Sequence, residues 1–178
     1  GRQNELLCLR ELLQEGKLCE KVIPIIEPVR FNSTFLTTVQ KFIDANRKLV
    51  IIRNPKVGSF ESDIESLEKN IEDESDETKK EKLQKILNNF DEMMQQSNVI
   101  DAYLCNEKII SDCINGFLKV EDKVLINLSN ETFYSFEDNK DKLDAEYTLI
   151  PNDEFKEVVE SGAVILEDNF NKAKRNTD

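Results

Sequence analysis

Histidine is absent from this chain of 178 residues. Without an imidazole there is no Ser-His-Asp or Cys-His catalysis, no His-ligated metal and no imidazole acid–base work near neutral pH. Any chemistry must run on carboxylates, Lys, Arg, Tyr or Cys. Glycine is scarce, at five residues, and no glycine-rich phosphate loop follows any strand-like run. A Rossmann nucleotide site therefore has little support. No run approaches the roughly 20 apolar residues of a membrane span, and no secretory signal pattern is present. The cysteines Cys8, Cys19, Cys105 and Cys113 lack any close pairing in sequence. They read as reduced, mostly buried thiols of a cytoplasmic protein, and their spacing does not suit a zinc site.

Basic charge is also short, with 24 Lys and Arg against 36 Asp and Glu, a net charge of −12. That argues against general nucleic-acid or membrane-surface binding, both of which need a cationic footprint. The balance is uneven along the chain. Residues 1–60 carry ten basic and six acidic side chains, residues 61–101 five and thirteen, and residues 102–178 nine and seventeen. A local basic site is therefore compatible with the first third alone.

What is present is a repeated pattern of a short apolar run, a polar tip, a turn and an amphipathic helix. Residues 21–30, KVIPIIEPVR, hold apolar positions on both alternations, as in a strand covered on both faces, and such strands are usually parallel. Further strands read at 49–52, 99–105, 123–129, 146–150 and 163–168, with the first at 22–27. Asn4 is placed to cap a helix carrying Leu6, Leu9 and Leu13, which Gly16 ends. Ser33 or Thr34 caps a second helix with Phe35, Val39, Phe42 and Ile43. Later helices carry Ile110, Cys113, Ile114 and Phe117, then Phe133 and Phe136 behind an Asn130 cap, then Phe155, Val158 and Val159 behind Asn152. Residues 60–97 exceed one ordinary crossover helix. They read as a helical hairpin or one bent helix with a solvated acidic tip at 72–77, EDESDE, a protrusion dispensable for folding.

This alternation predicts an α/β fold: a parallel sheet of about six βα units, TIM-barrel-like but two units short of a closed barrel. It forms a single domain over residues 1–178 with an acidic helical insertion at about 60–97. A doubly wound open sheet is the other arrangement.

Three stretches taken together, GRQNELLCLREL at 1–12, IIEPV at 25–29 with NPKVG at 54–58, and ILEDNFNKAKRN at 165–176, resemble the beta protein family. That family is named after a phage protein and is widespread in bacteria and prophages. The resemblance covers both ends and the first two strands, and none of the acidic middle. It implies a phage-linked context and a fold, without a reaction. It also implies a chain trimmed at both ends, the front cut resembling proteolysis, and hence an incomplete barrel.

In parallel α/β folds ligands sit at the C-terminal ends of the strands. Those ends place Glu27, Arg30, Arg53, Asn54, Lys56, Glu167, Asp168, Lys174 and Arg175 as candidate rim residues, with Asn106, Asn127 and Asn152 at other tips. Solvated tips and helix caps account for such residues in most folds. Glu27 shares a face with Ile23 and Ile25, Glu167 with Ala163 and Ile165. If these acids face inward they need cationic partners, Arg53 or Lys174, because an unpaired buried charge is very costly. Two carboxylates could also hold magnesium, but no spacing marks a metal site, and no cofactor is implied.

Two functions of different class follow. One is a non-enzymatic interaction module in a phage-related or defence setting, whose partner is another protein. The other is a barrel enzyme acting on an anionic or phosphorylated small molecule, with Arg30, Arg53 and Lys56 as clamps. The lack of histidine and of a phosphate loop favours the first.

Overall fold

The computed structural model describes residues 1–159 and 161–167. Its elements alternate as the apolar periodicity requires. They are α1 (Gln3–Gln14), β1 (Ile25–Ile26), α2 (Ser33–Asp44), β2 (Leu49–Ile52), α3 (Phe60–Asp73), α4 (Glu77–Met94), β3 (Val99–Leu104), α5 (Glu107–Ile114), β4 (Val124–Ile126), α6 (Asn130–Glu137), β5 (Tyr147–Ile150) and β6 (Ala163–Ile165). Single 3-10 turns lie at Lys140–Lys142 and Asp153–Phe155. The strands form a six-stranded sheet in chain order, β1-β2-β3-β4-β5-β6. β1–β2, β2–β3 and β5–β6 pair in parallel. Consecutive order is the topology of successive barrel units, whereas a doubly wound sheet reverses its order part way along.

The chain divides into two compact units, residues 1–104 with 122–124, and residues 105–121 with 125 onward. In the first unit β2 is buried at all four positions. Leu49 and Ile51 join Ile26 and Val99 under α1 to α4, in a core with Leu6, Phe35, Phe42, Phe60, Phe90 and Met93. Phe31, Phe35, Phe60 and Phe90 meet edge to face, with centroids 5.1 to 6.1 Å apart in the T-shaped pairs. Such pairs add specificity beyond the area they bury. In the second unit Leu125, Phe133, Leu143 and Ile150 are almost wholly buried, and Phe133 stacks on Phe155 at 4.2 Å.

Several local expectations are corrected. Residues 60–97 form a hairpin with its acidic tip at 72–77 largely exposed, but Phe60, Ile71, Phe90 and Met93 are buried. The roots of α3 and α4 thus belong to the core, and only the tip is separable from it. Helix starts shift by one or two residues. Arg2 rather than Asn4 precedes α1, its N–H donating to Glu5. Asn32 rather than Ser33 or Thr34 accepts from Phe35 N–H at the start of α2. Ser129 rather than Asn130 caps α6. After β5 the Asn152 cap holds a single 3-10 turn rather than an α-helix.

β1 is shorter than expected because Pro24 and Pro28 flank it. It is covered on one face only, with Ile26 at 2 % and Ile25 at 42 % exposure. Phe117 lies past the end of α5 and is exposed, because Gly116 takes a left-handed φ of +75° and turns the chain away. Cys105 and Cys113 are buried, whereas Cys8 and Cys19 are exposed, and all four are free thiols.

Candidate functional site

The strand ends of the first unit carry Glu27, Arg30, Arg53, Asn54 and Lys56, and two of them, Glu27 and Asn54, hold backbone groups with their side chains. The Glu27 carboxylate accepts from Lys56 N–H at 2.8 Å, and its carbonyl accepts from the Gly1 amino group. Arg30 Nε lies 3.0 Å from the Asp63 carboxylate, which also accepts from Phe31 N–H at 3.0 Å. Burial raises the Asp63 pKa, but the bonds from Phe31, Ser59 and Arg30 outweigh it and hold the group below its ordinary 3.8. Asn54 continues the β2–β3 pairing with its side chain. Its Nδ2 donates to Leu104 O at 2.9 Å, and its Oδ1 accepts from Leu104 N–H at 2.8 Å. Lys56 is exposed.

Arg53 does not pair with Glu27. Its guanidinium stands 3.6 Å from Asp101 and 5.6 Å from the centroid of the Phe90 ring. The register explains the choice. Ile26 pairs with Ile51, and Ile51 with Asp101, so these share a face. Arg53, two residues past Ile51, points the same way, while Glu27, one past Ile26, points the other.

Asp101 is the functional candidate that periodicity missed. Its one sequence signal is a lone acid inside the apolar run VIDAYL of β3. Its Oδ1 is buried and has no hydrogen bond among the described residues. Burial lifts the Asp101 pKa above the ordinary 3.8, against the attraction of Arg53 and Lys123.

The remaining sites lie in the second unit. Asn106 caps α5 by accepting from Ile109 N–H at 2.9 Å. Asn127 is fully buried, and its N–H donates to Leu149 O at 3.0 Å. Asn152 Nδ2 donates to Asn130 Oδ1 at 3.2 Å. Glu167 is exposed. Asp168, Lys174 and Arg175 lie outside the described residues.

Thiol chemistry is disfavoured where the thiols are buried. Burial pushes Cys105 up to about 12 and raises Cys113 as well, so neither holds a ready thiolate. Among the described residues no group of three or more Cys, Asp or Glu is placed to hold a metal ion, and no helix is long and apolar enough to cross a membrane. Compared with protein-family models, with curated proteins and with solved structures, the chain matches none.

Proposed function

We propose that this chain is a non-enzymatic interaction module from a phage-related or defence setting, with another protein as its partner. The observation that carries this reading is the internal commitment of the strand-end charges in the first unit. Arg30 is paired with Asp63, Arg53 with Asp101, and Glu27 with a backbone N–H. A clamp for an anionic substrate would need those guanidinium groups unneutralised, which weighs against the enzyme reading. The resemblance of residues 1–12, 25–29, 54–58 and 165–176 to the beta protein family supplies the phage-linked context. Free cysteines suit a reducing, cytoplasmic setting. The exposed tip between α3 and α4, with five acids among residues 72–77, offers a partner an electrostatic landmark.

The test is crosslinking and mass spectrometry on the full chain in phage-infected bacterial cells, with a variant whose tip acids are changed to Asn and Gln. One protein crosslinked through the hairpin, and lost with the neutralised tip, is the expected result. Titration with inorganic phosphate, followed by NMR of the Arg side chains, gives the opposite test. Saturable shifts at both Arg30 and Arg53 would overturn the proposal in favour of an anion site.

A further inference from the structure

The second unit contains a half-open cavity of about 320 Å³, lined by the end of α6, the turn at 140–145, the start of β5 and residues 158, 159 and 161. Its size is at the small end of the range for ligand sites. Its floor is Phe136, Leu143 and Thr148, which are 3 %, 1 % and 2 % exposed. Thr148 sits there among both polar and apolar lining residues. Its backbone N–H donates to Gly162 O at 3.0 Å, whereas among the described residues nothing hydrogen-bonds its hydroxyl. The hydroxyl is not closed off from solvent, so a ligand group entering the cavity can bond it in place of water. At the mouth Asp141 and Asp144 are exposed, and among the described lining residues Lys140 is the one cation.

We propose that this cavity is a binding site for a compact organic cation: an ammonium head at Asp141 and Asp144, an apolar body against Phe136 and Leu143, and a terminal hydroxyl on Thr148. The site lies at the N-terminal end of β5, away from the strand ends where α/β folds usually bind ligands. It is independent of the protein-binding role proposed for the first unit. The three parts of the cavity select three parts of one molecule. The carboxylates disfavour an anion, the apolar floor disfavours a sugar, and the Thr148 hydroxyl separates a ligand with a distal hydroxyl from one without.

The probes are tyramine, phenethylammonium and 3-phenylpropionate, titrated into the full chain by amide NMR. Tyramine should shift the amides of residues 143–148 saturably and bind about fivefold tighter than phenethylammonium, the value of one neutral hydrogen bond. 3-Phenylpropionate should not bind. Thr148→Val should abolish the fivefold preference while keeping the weaker binding of both amines. Asp144→Asn should weaken both amines about equally. Ala145→Leu should fill the cavity and abolish binding; if it does not fold, Val159→Phe closes the cavity from its partly exposed side. No saturable shift in the wild-type chain, tighter binding of the anion, or unchanged binding in a folded, filled variant would each overturn the proposal.

Discussion

The guanidinium of Arg53 lies 3.6 Å from the Asp101 carboxylate, across the β2–β3 pairing and on the face that carries Phe90 of α4. Both side chains are about a quarter to a third exposed, at 31 % and 25 %. The pair therefore sits between the surface regime, where ion pairs contribute little, and the buried regime, where a stranded charge is expensive. Arg53→Met should destabilise by about 1–3 kcal/mol, because it leaves Asp101 partly buried with only Lys123 in attraction. Asp101→Asn should cost under about 1 kcal/mol, since it also removes a desolvated charge. The double mutant should cost clearly less than the sum in denaturant unfolding. Additive effects would show that the two groups do not interact.

The same pair predicts a pH dependence. Folding raises the Asp101 pKa, so the folded chain binds that proton more tightly than the unfolded chain. Stability contributed through this group falls as pH rises from the ordinary 3.8 through the raised folded value, and is level above it. The difference in urea midpoint between the wild-type chain and Asp101→Asn should follow that slope. A difference independent of pH would mean that folding leaves the Asp101 pKa unchanged.

Asp63 should behave in the opposite sense. Its folded pKa is lowered, so its contribution is present above the ordinary 3.8 and is lost as pH falls through the lowered folded value. Asp63→Ala should cost about 1–2 kcal/mol at neutral pH, chiefly through the Phe31 N–H bond. Arg30→Ala should cost less than about 1 kcal/mol, because Arg30 is 64 % exposed. Unfolding curves at neutral and acid pH measure both, and equal losses for the two variants would contradict the assignment.

Asn54 carries a two-bond bridge to Leu104, one bond donated and one accepted. Asn54→Ala should destabilise by about 1–3 kcal/mol and speed amide exchange at Leu104. Asn54→Asp should not rescue it, because a carboxylate can accept from the Leu104 N–H but cannot donate to its carbonyl. Full rescue by Asp would show that only one of the two bonds contributes.

The hairpin formed by α3 and α4 should divide into a structural root and a replaceable tip. Phe90→Ala should cost about 3–5 kcal/mol, as expected for a buried ring at 3 % exposure. Replacing residues 74–76 with a Gly/Ser turn should cost about 1 kcal/mol. Asp76 accepts from Thr78 and Lys79 N–H at the start of α4, and that cap would be lost. A tip replacement that costs as much as Phe90→Ala would show that the tip packs.

Much of the fold was legible in the chain because apolar periodicity is a local property. Residues 49–52 read as a strand and form β2 to the residue, and the run at 99–105 contains β3. Helix starts were missed by one or two residues because several neighbouring Ser, Thr and Asn side chains can all cap, and only the backbone path selects Asn32 over Ser33. A similar ambiguity hid the single 3-10 turn after Asn152, since a cap marks a helix start and not its length.

The sequence by itself determined most of the alternation of strand and helix, the buried sides of α2 and α6 and the exclusion of imidazole chemistry, because each depends on residues close together in the chain or on composition. Only the tertiary structure decided which charges meet. Asp101 lies on β3, while Arg53 and Glu27 directly follow the last residues of β2 and β1, and side-chain direction reverses at every residue, so a one-residue difference in register decides between two partners. The physical reason is that register is fixed by packing between segments far apart in sequence, and that packing places Arg53 beside Asp101 and Phe90 and leaves Glu27 to hold a loop.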